Sequence, residues 1–143
     1  MVSHPAYETV RPVSPVASVI LEDNPGPWTL EGTNSWILGL PGGRRHVVVD
    51  PGFAVEAHLT RLAEVSGVEL ILLTHGHPDH AEGASRLAEL TGAPIRSADP
   101  AYCLSGPPLA DNETLVAAGV EIYVLSSPGH SDDSVRPLAA RCA

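Results

Sequence analysis

Apolar positions along the chain recur first with the short period of strands and then with the longer period of helices. Val16-Ala17-Ser18-Val19-Ile20-Leu21 reads as a strand, stopped by the dense turn signal Asp23-Asn24-Pro25-Gly26-Pro27. Ser35 to Leu40 (SWILGL) and His46 to Val49 (HVVV) flank Pro41-Gly42-Gly43 and predict a hairpin. The period changes in AVEAHLTRLAEVSG, where Val55, Leu59 and Leu62 share one helical face and Gly67 reads as a C-terminal stop. Glu69-Leu70-Ile71-Leu72-Leu73 predicts a short buried strand ending at Thr74. Ala84, Leu87, Ala88 and Thr91 share the face of a second helix, ended by Gly92. Ala93 to Arg96 predicts a short strand, Asp99 to Pro108 a loop, and Val120 to Leu125 a strand entering the loop Ser126-Ser127-Pro128-Gly129-His130. Strands followed by interleaved helices and strands argue an α/β layered domain over residues 16–135. Residues 1–15, with Pro5, Pro12 and Pro15 and no apolar period, read as a flexible arm, and residues 136–143 as an unstructured tail.

Composition narrows the class. A length of 143 residues suits one domain, and 43 % apolar residues supply a core, which excludes a wholly disordered chain. Every positive side chain is Arg, and the net charge of −9 argues against a general nucleic-acid binder, which would carry a basic stripe. No apolar run approaches the roughly 20 residues that span a bilayer. The start, MVSHPAYETV, has neither the charged nor the apolar region of a signal peptide. Cys103 and Cys142 imply no disulfide framework. The expectation is a soluble, cytoplasmic protein.

The chemistry is concentrated in Thr74-His75-Gly76-His77-Pro78-Asp79-His80, where four of seven residues can ligate a metal. At this composition an accidental H-x-H-x-D-H arises in roughly one chain per thousand. His75 and His77 lie two apart just beyond a strand, so both imidazoles can face one side. Neutral imidazole suits zinc and other borderline metals. Asp79 and His80 fall where the next helix begins, and Asp79 supplies the carboxylate that a cation needs beside the positive end of a helix. Solvated loop histidines or a structural site are the competing readings, but a closed structural zinc site usually contains Cys and none is near. His130, after its own strand and the Pro128-Gly129 loop, adds a third imidazole and would leave a fourth coordination position open, the pattern of catalytic zinc.

T-H-G-H-P-D-H followed by S-P-G-H resembles the metallo-β-lactamase superfamily. Asp50-Pro51-Gly52 after HVVV is similar to its first motif. Asn24-Pro25-Gly26-Pro27 and Gly32-Thr33-Asn34-Ser35-Trp36-Ile37-Leu38-Gly39 resemble the lactamase-β-like protein 2 and glyoxalase-II-like branch. The resemblance covers about residues 16–135. It implies the N-terminal half of an αββα sandwich, a mixed sheet flanked by helices. It also implies a zinc hydrolase that uses metal-activated water on a small thioester, lactam or phosphodiester substrate. His75, His77 and His130 would hold a first ion, and Asp79 and His80 would contribute to a second. Asp79, the catalytic candidate, would orient the water, and Asp50 would support the metal loop from behind.

The chain departs from that pattern after Ser131-Asp132-Asp133-Ser134-Val135, where Arg136-Pro137 follows and the family's bridging Asp and last His have no counterpart. One bound ion is therefore expected, against two in the longer family members. Half a sandwich would leave a sheet face uncovered, open to self-association. A truncated, non-catalytic metal-binding remnant and an iron-dependent dioxygenase on the same scaffold are the alternatives, since three His with open positions also suit Fe. Cys103 reads as a buried small hydrophobe, Trp28 and Trp36 as core, and His4, His46 and His58 as surface residues.

Overall fold

The computed structural model describes residues 7–23, 32–64, 67–76, 78–126 and 135–142, without the side chains of Asp79, Ser126 and residues 135–142. Strands β1 (Arg11–Ser14), β2 (Ala17–Leu21), β3 (Asn34–Leu38) and β4 (Arg45–Val49) form an antiparallel meander. The chain then crosses over through α1 (Glu56–Glu64), so that β5 (Gly67–Leu72) runs parallel to β4. A second crossover through α2 (Pro78–Ala81) and α3 (Ala84–Thr91) sets β6 (Ile95–Arg96) parallel to β5. The six strands lie in sequence order, and β7 (Thr114–Ala117), β8 (Val120–Ser126) and β9 (Val135–Cys142) build a second, antiparallel sheet. Among the described residues no helix is long and apolar enough to cross a membrane.

Strand alternation sorts the apolar residues into two cores. Val48 of β4 joins Ile20, Ile37, Ile71, Leu59, Leu62 and Leu87 on the helix-covered face. Its neighbours Val47 and Val49 turn the other way, with Leu70 and Leu72, onto Val120, Ile122 and Val124 of the second sheet. The expected α/β class and mixed sheet are therefore present. The second sheet packs on the larger one, and on its far side Val116, Tyr123 and Leu125 are exposed while their strand neighbours Ala117, Ile122 and Val124 point into the core.

Both expected termini of the domain need correction. Residues 11–14 pair with β2 as β1, Tyr7 bridges Leu21, and the Glu8 N–H donates to the Leu21 carbonyl. The arm is thus part of the sheet from Tyr7 onward. Residues 136–142 are not a tail but most of β9, paired with β8 from Ser126↔Val135 to Val120↔Cys142. Pro137 is tolerated because β9 pairs on one side only, so the missing N–H need not break a ladder. β7 is an additional strand that the weak alternation of TLVA did not announce.

Smaller corrections concern single residues. Gly67 opens β5 rather than capping α1. His58 is fully buried, because residues 8–10 cover the flank of α1 beside Leu59 and Leu62. Trp36 is exposed on β3, and Trp28 and His4 lie outside the described residues. Cys103 is half-buried, its thiol against the carbonyls of Ser97 and Asp99. His46 is half-buried, and burial pushes its pKa down. Gly92, as expected, ends α3 in the left-handed region (φ 75°), its N–H donating to Ala88 O at 2.7 Å.

Candidate metal centre

Parallel pairing sets the C-terminal ends of β4 and β5 side by side, with Val49 opposite Leu72 and the Asp50 N–H donating to Leu72 O at 3.0 Å. Loops that follow such strand ends are where α/β sheets place ligands. Two loops meet here, Asp50-Pro51-Gly52 after β4 and Thr74-His75-Gly76 after β5.

Asp50 is buried and adopts a left-handed backbone, φ 56°. Its Oδ1 accepts from the Thr74 N–H at 2.8 Å. Its Oδ2 accepts from the Thr74 hydroxyl at 2.6 Å and faces His80 Nδ1 at 2.8 Å. Thr74 Oγ1 also lies 2.9 Å from His75 Nδ1. Because the hydroxyl gives its proton to the carboxylate, it receives one from His75 Nδ1–H. The Nδ1 side of each imidazole thus faces a protein oxygen, the arrangement in which a neutral ring presents Nε2 to a metal. The two rings lie with centroids 4.3 Å apart and planes at 49°.

Backbone contacts lock α2 to the Asp50 loop. Pro78 opens α2, where a missing N–H goes unnoticed. Gly52 N–H donates to His80 O at 3.0 Å, and Gly83 N–H donates to Gly52 O at 2.7 Å. A Cβ on Gly83 would stand 2.9 Å from Phe53 O and 2.8 Å from a Leu59 methyl, so only glycine lets the α2–α3 junction close onto the loop. A Cβ on Gly76 would run into the ring of Tyr102, which covers the His75–Gly76 backbone from the turn at residues 100–102.

The structure thus brings together His75, His80 and the supporting Asp50. Asp79 lies in α2, with its side chain outside the description, and His77 and His130 lie outside the described residues. Among the described residues no set of three or more His, Cys, Asp or Glu is grouped to hold an ion.

Sequence reasoning missed a second polar cluster directly behind Asp50. Ser35 Oγ donates to Asp50 O at 2.6 Å and lies 2.9 Å from His58 Nε2, while His58 Nδ1 lies 2.6 Å from Glu8 Oε1. Glu22, fully buried, accepts from the Phe53 N–H at 3.0 Å through Oε1. Its Oε2 is 3.5 Å from His58 Nε2 and makes no hydrogen bond to a described residue. Burial pushes the Glu22 pKa up to about 8, with Glu8 and Glu82 adding to the rise and the Phe53 N–H opposing it. The available signal was a carboxylate set immediately after the apolar run VIL, on the same strand end as Asp50.

Residues 28–138 match the family model of the metallo-beta-lactamase superfamily. A beta-lactamase-like protein 2 homolog of Drosophila melanogaster is 33 % identical over 136 residues, covering 81 % of this chain and 46 % of that protein. An atrochrysone carboxyl ACP thioesterase of Aspergillus terreus is 30 % identical over 135 residues, covering 90 % of this chain and 42 % of the relative. In fold, a metallo-beta-lactamase family protein of Thermus thermophilus superposes with a TM-score of 0.71 at 22 % identity, over 90 % of this chain and 57 % of the other. The chain spans a little under half the length of the curated relatives it matches. The match takes in both loops at the β4 and β5 strand ends, and on it the chain belongs to the metallo-β-lactamase superfamily.

Proposed function

We propose that this chain carries the ligand-bearing loops of a metal-dependent hydrolase, with zinc as the ion and a thioester as the substrate class. The observation that carries the reading is the Asp50 carboxylate, which accepts from the Thr74 N–H and hydroxyl, meets His80 Nδ1 directly and reaches His75 Nδ1 through Thr74, so that one buried acid orients both imidazoles of the motif. Two imidazoles held at Nδ1 by protein oxygens, in a motif containing two further donors, fit zinc as a ligand set. His75, His77 and His130 are assigned to the first ion, and Asp79 and His80 contribute to a second. When bound, the metal supplies a Lewis acid for the substrate oxygen and lowers the pKa of water toward neutrality.

The remaining work belongs to side chains. Asp79 orients the attacking water, and Asp50 keeps His80 and the Thr74–His75 peptide in place as charge changes in front of them. Thioesters are favoured among small electrophiles because the Aspergillus terreus relative is named a thioesterase of an ACP-bound acyl group.

The purified chain should retain zinc by mass-spectrometric metal analysis and release thiol from a model S-acyl thioester faster than it opens a chromogenic lactam or cleaves bis(p-nitrophenyl) phosphate. His75→Ala should lose both metal and turnover. Iron in place of zinc, zinc binding without any turnover, or turnover surviving in His75→Ala would each overturn the reading.

A further inference from the structure

The polar cluster behind Asp50 forms an unbroken chain of contacts. It starts at Glu8, in the segment that precedes β1. Glu8 is fixed by its N–H to Leu21 O at 2.9 Å and by Arg61 Nε donating to its carbonyl at 3.4 Å, and its backbone lies in the left-handed region at φ 55°. Its carboxylate meets His58 Nδ1 at 2.6 Å, His58 Nε2 meets Ser35 Oγ at 2.9 Å, and Ser35 Oγ reaches Asp50 O at 2.6 Å. The opposite end of the same Asp50 residue holds Thr74 and His80.

A glutamate, histidine and serine in this order invite a nucleophilic reading, and the geometry excludes it. The Ser35 hydroxyl proton is committed to the Asp50 carbonyl, so Ser35 accepts from His58 Nε2–H rather than surrendering a proton to it. Ser35 and His58 are also fully buried. What the chain does is hold a carbonyl. Asp50 is a non-glycine residue in a left-handed conformation, a backbone state that its surroundings must hold. Relaxation of that torsion would swing the carboxylate away from Thr74 and His80. The Ser35 hydroxyl on the carbonyl and the Leu72 carbonyl on the N–H fix both sides of the residue.

We propose that Glu8, His58 and Ser35 are positioning residues for the metal centre: they fix the Asp50 backbone, and through it the tautomer and aim of His80 and the placement of the Thr74–His75 peptide. A segment 50 residues distant in sequence from His58 thereby becomes part of the metal loop's support. The metal readout rests on the function proposed above, whereas the imidazole readout does not.

The test compares wild type with Ser35→Ala, Ser35→Thr and Glu8→Ala. Zinc affinity is measured by competition with a chromophoric chelator, and the His80 ring is observed in the metal-free protein by long-range ¹H–¹⁵N NMR. Loss of a group supporting a metal ligand characteristically weakens the metal about tenfold or more. Ser35→Ala should show that loss together with a His80 ring that no longer holds a single Nδ1–H tautomer, and Ser35→Thr, which restores the hydroxyl, should recover both. If Ser35→Ala does not fold, Glu8→Ala, altered at a partly exposed side chain, should show the same two changes to a smaller degree. Unchanged zinc affinity and unchanged His80 nitrogen shifts in a folded variant with lowered melting temperature would overturn the proposal, leaving the chain a purely structural network. Should wild type itself bind no zinc, the function proposed above fails while the His80 shifts still decide the positioning role.

Discussion

Glu22 makes the fold pH-sensitive in a direction opposite to that of most carboxylates. Its side chain is fully buried beside His58 and the Phe53 N–H, and its pKa stands at about 8 against 4.5 for the free side chain. Below pH 4.5 the folded and unfolded chains both carry the proton. Between 4.5 and about 8 only the folded chain does, so every unit of rising pH favours unfolding by about 1.4 kcal/mol. At pH 7 the interval is about 2.5 units, and an ionisable group at this position costs about 3 kcal/mol relative to a neutral one of the same shape. Glu22→Gln keeps the oxygen that accepts from Phe53 and removes the titration. The variant should therefore match wild type near pH 4.5, exceed it by about 3 kcal/mol at pH 7, and keep gaining up to about pH 8. Urea unfolding of metal-free protein at pH 5, 6, 7 and 8 reads this without contribution from bound metal. A gap that does not widen with pH, or a variant less stable than wild type at pH 7, would refute the reasoning.

Two further substitutions probe the same strand end. Asp50→Asn should weaken zinc by about 10–100-fold, because an amide NH₂ would face the Thr74 hydroxyl and His80 Nδ1–H, donor against donor, and chelator competition measures it. Gly52→Ala should destabilise by about 3 kcal/mol in urea, combining a φ of +85° with a Cβ only 2.5–2.9 Å from the Glu22 carboxyl. Gly92→Ala, at φ +75° with nothing within 4 Å, should cost about 1 kcal/mol, and equal losses at the two glycines would remove the steric part of the argument.

The residues that were legible in the chain are those whose signal is local. HVVV announces β4, Ala84-Leu87-Ala88 with Gly92 announces α3, and the crowding of His and Asp between Thr74 and His80 announces the metal loop. Glu8, Ser35 and His58 carry no such signal, since they are 23 to 50 residues apart and meet only after the sheet has formed. β9 was obscured for a related reason: Pro137 reads as a breaker until the strand is known to lie at an edge.

Register connects the local signals to the distant ones. Leu21 pairs with Asn34, Trp36 with Val49, and Val49 with Leu72, so β2, β4 and β5 end at the same rim of the sheet, where β3 begins. Glu22, Ser35, Asp50 and Thr74 all stand within two residues of that rim. The register is in turn held by the division of Val47 and Val49 from Val48 between two cores, because a slip by one residue would exchange the faces. Such a slip would also turn Asp50 away from Thr74 and His80. The apolar alternation of β4 thereby determines where the site's central carboxylate points, and its polar partners need only be short enough to reach it.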